Sequence, residues 1–187
     1  MLNLTYDSER VLDTVNEDDE VISSSTRGEI HRLGLLHREV HVWMFDNNHF
    51  ILFQKRALHR PQAGLFDATV GGHVNKDENY LGAVVRETKE ETGISVLPSD
   101  LIFLKKFKGK SERGLSGTIN NFIKAVYIYK KPVDKQIKEE TGLPGVGFSK
   151  LSPEYINNIK KEEKKAFAQF ILTEELPAVI EYLNKLP

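Results

Sequence analysis

Three glutamates crowd one short stretch of the sequence, at Glu87, Glu90 and Glu91. Residues 79–91 are typical of a helix, and spacings of three and four bring these side chains to neighbouring positions on it. Carboxylates at such spacings repel one another, and a hard divalent cation such as Mg²⁺ or Mn²⁺ removes the conflict because it prefers carboxylate oxygens as ligands. An ordinary acidic, solvated helix would also explain the glutamates if they stood alone.

The residues around these glutamates favour the metal-binding interpretation. The pair Gly71-Gly72 precedes the loop that leads into the helix, and glycine lets a backbone carbonyl approach an ion closely. Glu78 lies at the junction of loop and helix. Gly93 follows the acids directly, where a glycine that ends a helix belongs.

Together these residues fit the pattern Gly-x5-Glu-x7-Arg-Glu-U-x-Glu-Glu-x-Gly-U, in which U is a bulky aliphatic residue. The pattern resembles the Nudix box, the signature of the Nudix hydrolase family. Thr88 is the one departure, and it stands at the first aliphatic position. The matching positions are Gly72, Glu78, Arg86, Glu87, Glu90, Glu91, Gly93 and Ile94.

The resemblance implies an α/β/α sandwich with a mixed sheet, and an enzyme that uses water to cleave a diphosphate bond in a nucleoside diphosphate-linked or related organic diphosphate. It implies Mg²⁺ (or Mn²⁺) as cofactor, held by Glu87, Glu90, Glu91 and the carbonyl of Gly71. Arg86 would orient the glutamates through charge-assisted hydrogen bonds, and Glu78 would brace the loop. We therefore predict Glu87, Glu90 and Arg86 as catalytic residues.

The general base is left open by the resemblance, because its place varies among family members. Glu87 is the candidate within the box. Glu139 and Glu140, on a later segment, are the alternatives, and a solvated turn would equally explain them.

A second resemblance narrows the branch of the family. The segments HREVHVWMFD, ILFQKRAL and FDATVGGHV are similar to the Nudix proteins related to isopentenyl-diphosphate isomerase, over about residues 10 to 130. Those isomerases carry a cysteine for proton transfer directly before the Gly-His pair, where this chain has Gly71, and they lose most box glutamates. Both departures favour a hydrolase. An isomerase-like enzyme and a non-catalytic diphosphate-binding regulatory module remain the alternatives.

The same resemblance implies further binding residues. His37 and His73 match metal-site histidines of the isomerases, and His31 lies near a third, so a second metal site for zinc or manganese is a candidate. Hydrogen-bonding histidines left from common ancestry are the competing explanation. Arg56 and Arg60 are candidates to bind the substrate phosphates, because arginine suits bidentate contact with phosphate.

The predicted elements that must position these residues mix strands and helices without regular alternation, which favours an α+β fold. We expect one domain, with an N-terminal hairpin extension (residues 1–30) packed on a Nudix domain (31–187). The hairpin comprises Arg10–Val15 and Glu20–Ser25. The other predicted strands are Val40–Phe45, Phe50–Lys55, Ala68–Val70, Leu101–Phe107, Thr118–Tyr129 and one around Val146–Phe148; the helices are Asn79–Glu91, one from Ser152-Pro153, and one from Thr173 to about Lys185.

Composition excludes several classes of protein. The 187 residues include no cysteine, which excludes a disulfide scaffold, a thiolate zinc site and a cysteine nucleophile. The formal net charge of −1 gives no broad attraction for a nucleic acid polymer. No signal peptide and no apolar run of about 18 residues is present, so we expect a cytoplasmic protein without a membrane partner. A small-molecule diphosphate is the expected partner, and a homodimer is compatible with the sequence.

Overall fold

The computed structural model describes residues 8–56, 63–113, 117–133 and 147–186. Its strands are β1 (Val11–Val15), β2 (Val21–Thr26), β3 (Leu36–Phe45), β4 (Ile51–Lys55), β5 (Phe66–Asp67), β6 (Val70–His73), β7 (Leu101–Arg113), β8 (Thr118–Tyr129) and β9 (Gly147–Leu151). Its helices are α1 (Arg27–Leu33), α2 (Tyr80–Thr92), α3 (Pro153–Asn157) and α4 (Leu176–Leu183), and a π-helical turn at Ile171–Glu175 leads into α4.

Strand β3 lies at the centre of the sheet and makes it a mixed one. It runs parallel to β8 from the pair Leu36–Asn121 to the pair Trp43–Ile128. It runs antiparallel to β1, β4 and β6. Beyond these neighbours, β2 extends the sheet from β1, β7 pairs with β8, and both β5 and β9 pair with β4. The predicted α+β class with a mixed sheet is confirmed.

The two faces of β3 carry two separate parts of the core, because successive side chains of a strand point to opposite faces. Val40, Val42 and Met44 lie in one apolar cluster with Ala83 and Val84 of α2. Trp43 and Phe45 lie in a second cluster that includes Ile171 of the π-helical turn and Leu176, Val179, Ile180 and Leu183 of α4. The sheet is therefore sandwiched between α2 and the C-terminal helical segment, as predicted.

Local signals located several elements correctly. Helix α2 begins after Asn79, whose side chain accepts a 2.8 Å hydrogen bond from the amide of Gly82, and it ends at Gly93, which has a φ of +74°. The strand Thr118–Tyr129 has the predicted bounds. Ser152 caps α3 by accepting a hydrogen bond from the amide of Tyr155.

Other predicted bounds are wrong for identifiable reasons. The strand predicted at Ala68–Val70 is interrupted, because the Thr69 hydroxyl donates to the Leu52 carbonyl and accepts from the Met44 amide in place of a regular ladder. Strand β7 continues past Phe107 to Arg113 because it pairs with β8 along its length. The last α-helix begins at Leu176 rather than Thr173, because Thr173 lies in the π-helical turn Ile171–Glu175 that leads into it.

The N-terminal hairpin forms as predicted, with β1 and β2 antiparallel, and its turn is tied to the rest of the molecule. Asp19 in that turn accepts a 2.6 Å hydrogen bond from Nε of Arg38 on β3 and 3.0 Å hydrogen bonds from the hydroxyl of Tyr80. Lys106 of β7 contacts the same carboxylate. The hairpin is thus attached both to the sheet and to the first residue of α2. The domain boundary at residue 30 stays a prediction.

The helices of the described residues include none that is both long enough and apolar enough to cross a membrane.

Replacing Asp19 with asparagine should destabilise the protein and change its response to acid. Burial raises the pKa of Asp19, but Lys106, Arg38 and Tyr80 outweigh it and hold the pKa below its ordinary value. The charged form therefore stabilises the fold above the unfolded pKa, and this contribution is lost as the pH falls through the lower folded pKa. We expect Asp19→Asn to lower the free energy of unfolding at pH 7 by about 2 kcal/mol.

Urea unfolding at neutral pH and at about pH 3 measures this difference, which should shrink on acidification. Asp18→Asn is the matched control, because Asp18 is an exposed neighbour in the same turn. Equal losses in the two variants at neutral pH would show that the Asp19 contacts contribute nothing specific.

Candidate active site

The box helix α2 buries a face that includes one of its glutamates. Val84 and Thr88 are buried, whereas Leu81 and Val85 are only half-buried. Ala83 and Glu87 are buried in addition. The hydroxyl of Thr88 has no hydrogen-bond partner among the described residues, so Thr88 packs as the aliphatic side chain that the pattern specifies.

Glu87 is the most enclosed acid of the box, with 5% of its surface exposed. Its Oε1 accepts hydrogen bonds from Arg86, at 2.6 Å, and from Arg10, at 3.0 Å. Burial raises the pKa of Glu87 above its ordinary value, although both guanidinium groups favour the charged form. The carboxylate lies over Gly72, where an added Cβ would stand only 2.0 Å from Cδ of Glu87.

Arg86 joins the helix to the loop before it. Its Nε and NH2 donate to the two carboxylate oxygens of Glu78, at 3.0 and 2.8 Å, and NH2 also donates to the carbonyl of His73 at 2.9 Å. Its NH1 contacts Glu87 at 2.6 Å and Glu90 at 3.4 Å. These contacts are the ones that an orienting role for Arg86 and a bracing role for Glu78 require.

Glu91 faces strand β6 rather than the other two glutamates. Its Oε2 accepts hydrogen bonds from the Gly71 amide at 3.1 Å and from the Gln54 side chain at 3.2 Å. The side chain of Glu90 is exposed, with 55% of its surface accessible. Protein groups therefore offset the expected repulsion among the three carboxylates, chiefly Arg86 and Arg10 at Glu87.

The donor chemistry of this region fits Mg²⁺ or Mn²⁺. Glu87 covers Gly72 and Glu91 bonds to Gly71, so two carboxylates meet the same glycine pair of β6. Carboxylate and carbonyl oxygens are the hard ligands that these ions select. The described part of the chain does not bring the three box glutamates within 4.8 Å of one another as a group.

The loop between β6 and α2 is held by the N-terminal hairpin, which sequence reasoning did not foresee. Arg10 donates to the Asn75 side chain and, at 3.4 Å, to the His73 carbonyl. The amide of Lys76 donates to the carbonyl of Val11 at 3.0 Å. The one available signal was that Arg10 is a rare base in an acidic N-terminal segment, which does not reveal its target.

Three histidines come together on the opposite face of the sheet. The Nε2 atoms of His31 and His73 lie 3.1 Å apart, and one ligand atom from each of His31, His37 and His73 lies within 4.8 Å of the others. His37 is fully buried, and its Nε2 has no hydrogen-bond partner among the described residues. The structure thus brings together His37, His73 and His31, the three histidines that the resemblance pointed to.

The surroundings of these histidines direct their Nε2 atoms toward one another. Nδ1 of His37 lies 3.0 Å from the Leu35 carbonyl, and Nδ1 of His31 lies 3.3 Å from the Ile119 carbonyl. A proton on each Nδ1 would leave each Nε2 as a lone-pair donor. Burial lowers the pKa of His73 well below its ordinary value, even though Glu39 favours the charged form.

Glu39 borders the histidine cluster and adds a carboxylate oxygen to it. Its Oε1 lies 3.8 Å from Nε2 of His37 and 3.6 Å from Nε2 of His73. Burial opposes ionisation of Glu39, but Lys124 and the histidines hold the pKa of its carboxyl well below the usual range. Ligands bound tetrahedrally at about 2.0–2.1 Å stand roughly 3.4 Å apart, which is close to these separations.

A buried hydrogen-bonded group beside Gly71 was also missed from the sequence. Glu175, fully buried on the π-helical turn, lies 2.9 Å from Nδ1 of His41 and accepts a 3.0 Å hydrogen bond from Trp43. A Cβ on Gly71 would stand 3.0 Å from the His41 ring. His41 is therefore a buried residue that is held by a carboxylate 134 positions away.

The predicted phosphate-binding arginines are only partly described. NH1 of Arg56 donates to Asp67 at 2.5 Å, so Arg56 would contact phosphate while paired with this carboxylate. Arg60 lies outside the described residues, and so do Glu139 and Glu140, the alternative general bases.

Comparisons with known proteins agree with this fold and with the family resemblance. The model of the NUDIX domain family matches residues 35–170. The uncharacterised Nudix hydrolase YfcD of Salmonella typhi is 40% identical over 88 residues, covering 46% of this chain and 48% of the relative. An uncharacterised Nudix hydrolase of Clostridium acetobutylicum is 32% identical over 125 residues, covering 65% of this chain and 59% of the relative.

A solved structure shows the same fold. The crystal structure of DR0079 from Deinococcus radiodurans superposes with a TM-score of 0.67 at 23% identity, covering 89% of this chain and 97% of that one. The box helix α2 and strands β3 to β9 fall within residues 35–170, which the family model matches. The chain belongs to the Nudix family, whose members generally use a divalent metal ion, and it spans about half the length of the curated relatives it matches.

Replacing Gly72 with alanine should destabilise the protein, because the new methyl group would overlap the Glu87 carboxylate and disturb its buried ion pairs. Such overpacking costs about 1–3 kcal/mol. Gly82→Ala is the matched control on α2, since an added Cβ would only make an ordinary contact, 3.4 Å from Cγ of Glu78. That variant should gain about 0.5–1 kcal/mol from helix propensity.

Urea unfolding of the wild type and the two variants measures both the expected loss of stability in Gly72→Ala and the expected gain in Gly82→Ala. A Gly72→Ala protein as stable as the wild type would mean that Glu87 does not depend on the space above this glycine.

Proposed function

We propose that this chain is a metal-dependent hydrolase that cleaves the diphosphate bond of a nucleoside diphosphate-linked or related organic diphosphate by attack of water at phosphorus. The observation that carries the proposal is the Nudix box on α2, in which Glu87 lies over Gly72 of β6 and Glu91 accepts a hydrogen bond from the Gly71 amide. The family implies hydrolysis of nucleoside diphosphate derivatives, and the cleaved compound is chosen by residues outside the box.

The residues that would hold Mg²⁺ or Mn²⁺ are Glu87, Glu90, Glu91 and the carbonyl of Gly71. When bound, the ion supplies charge neutralisation for the phosphates and favours ionisation of a water molecule. Arg86 keeps Glu87 in place through a 2.6 Å hydrogen bond. Within the box, Glu87 is also the candidate for the general base, since it lies over Gly72 beside the other proposed ligands.

We propose that cationic side chains bind the phosphates of the substrate. Arg56, next to β4, is a candidate to contact phosphate oxygens beside its partner Asp67. Arg60 is proposed for the same role from its place in the sequence. A cytoplasmic location, the absence of a nucleic acid polymer or membrane as partner, and a homodimer remain predictions.

The two alternative functions find less support. An isomerase would need a proton-transferring side chain where Gly71 stands, and the sequence contains no cysteine. A non-catalytic diphosphate-binding module would have no use for the retained set of box acids. Incubation with isopentenyl diphosphate in deuterated water tests the first alternative by deuterium incorporation, and diphosphate binding without turnover would support the second.

The hydrolase assignment is tested by phosphate release from a panel of nucleoside diphosphate derivatives and organic diphosphates with Mg²⁺. Glu91→Gln should keep the hydrogen bonds from Gly71 and Gln54 through its amide oxygen but lose a charged ligand. Metal coordination supplies several kcal/mol of transition-state stabilisation, so we expect a loss of about 100-fold or more.

Glu181→Gln is the matched control, because Glu181 is exposed on α4 and pairs only with the nearby Lys185 in the described structure. It should hydrolyse like the wild type. Equal activity of Glu91→Gln and wild type would refute the assignment.

We also propose that the histidine cluster is a second metal site, with His31, His37 and His73 as ligands and Glu39 as a fourth. Four donors, two of them oriented by backbone carbonyls, suit Zn²⁺ or Mn²⁺. The buried, unbonded Nε2 of His37 supports this proposal, because a buried polar atom without a partner is costly.

Calorimetric titration with Zn²⁺ tests the second site. His37→Gln should weaken binding by at least about tenfold. His49→Asn is the control, since His49 lies in a turn with a φ of +60°, a conformation that asparagine tolerates. Identical Zn²⁺ binding by His37→Gln and the wild type would exclude His37 as a ligand.

A further inference from the structure

We infer that Arg10 is a positioning residue for Glu87, so that the N-terminal hairpin is a working part of the hydrolytic site rather than a peripheral extension. The inference rests on the proposed function, because it gives Glu87 a role in holding the metal ion. Arg10 is not part of the box, and it lies 77 positions before the glutamate that it contacts.

Arg10 reaches from the hairpin to three acceptors around the box loop. Its Nε donates to the side chain of Asn75, and its NH2 lies 3.4 Å from the His73 carbonyl and 3.0 Å from Oε1 of Glu87. At its own end, the Arg10 carbonyl accepts a 2.7 Å hydrogen bond from the amide of Arg27, at the start of α1. Hydrogen bonds thus hold both the backbone of Arg10 and its guanidinium group.

Both arginines that bind Glu87 use the same oxygen. Arg86 and Arg10 donate to Oε1, and no described residue donates a hydrogen bond to Oε2. One hydrogen bond fixes a distance, whereas a second from another element also limits rotation of the carboxylate. Because Gly72 offers no side chain to limit that rotation, we assign this task to Arg10. Oε2 is then the oxygen presented to an ion.

A purely structural role for Arg10 can be separated from this one. The hairpin is also attached through Asp19, which binds Arg38 of β3 and Tyr80 of α2 without touching Glu87. Loss of the Arg38 contact should loosen the hairpin but leave Glu87 held by both arginines. Arg38→Met is therefore the matched control for Arg10→Met.

The experiment measures calorimetric Mg²⁺ binding, the Mg²⁺ dependence of hydrolysis and urea stability in EDTA for the wild type, Arg10→Met, Arg10→Lys and Arg38→Met. We expect Arg10→Met to weaken Mg²⁺ binding by about tenfold or more, as loss of a residue that orients a metal ligand typically does. Arg10→Lys should recover only part of the affinity, because lysine keeps the charge but not the fork of donors. Arg38→Met should lose stability and bind Mg²⁺ within about twofold of wild type.

Several results would overturn the inference. Unchanged Mg²⁺ binding in Arg10→Met would do so, as would an equal loss in Arg38→Met, which would reduce Arg10 to a tether for the hairpin. Stronger binding in Arg10→Met would show that its charge merely repels the ion. If the wild type binds Mg²⁺ and hydrolyses the panel, and Arg10→Met does both equally well, only the role of Arg10 is refuted. If the wild type neither binds Mg²⁺ nor hydrolyses any compound of the panel, the proposed function is refuted as well.

Discussion

A buried carboxylate, Glu87, constrains the arrangement of the whole site. Burying a charged group is costly unless it is paired and hydrogen-bonded, and removing one partner leaves much of that cost uncompensated. Here the partners come from two elements, Arg86 from the box helix and Arg10 from the N-terminal hairpin. The carboxylate also needs the space above Gly72. The box helix, the loop before it, strand β6 and the hairpin must therefore all be correctly placed for the buried Glu87 carboxylate to be stable.

Strand alternation explains why two adjacent glycines are needed for different reasons. Gly72 of β6 pairs with Val40 and faces Glu87 on the α2 side of the sheet, whereas Gly71 pairs with His41 and faces its ring on the other side. Two polar regions consequently lie back to back across the same strands. The acidic box lies on one face of the sheet, and the histidine cluster with Glu39 lies on the other. The sheet therefore separates the two groups of candidate metal ligands.

Local patterns in the sequence predicted the features that depend on near neighbours. The glycine that ends α2 and the bounds of β8 follow from local patterns, and the structure places them accordingly. The contacts missed are those that join distant parts of the chain. Arg10 with Glu87 and His41 with Glu175 are separated by 77 and 134 positions, and no local period reveals such pairs.

Misplaced strand and helix bounds have the same origin. Thr69 interrupts the predicted strand only because Leu52 and Met44 lie beside it in the sheet, and β7 is long only because β8 lies along it. The histidine cluster is intermediate, since the resemblance matched His37 and His73 directly and placed His31 only near a third position, and α1 brings His31 to the other two. Its identification needed the fold as well as the sequence.

The most direct test of the central claim is an anomalous difference map from crystals of the protein soaked in Mn²⁺. We expect a peak on the α2 side of the sheet, within coordination distance of Glu87 and Glu91 and next to Gly71, whether or not a second peak lies among the histidines. A map with a peak only at the histidine cluster would contradict the assignment of the box as the metal centre.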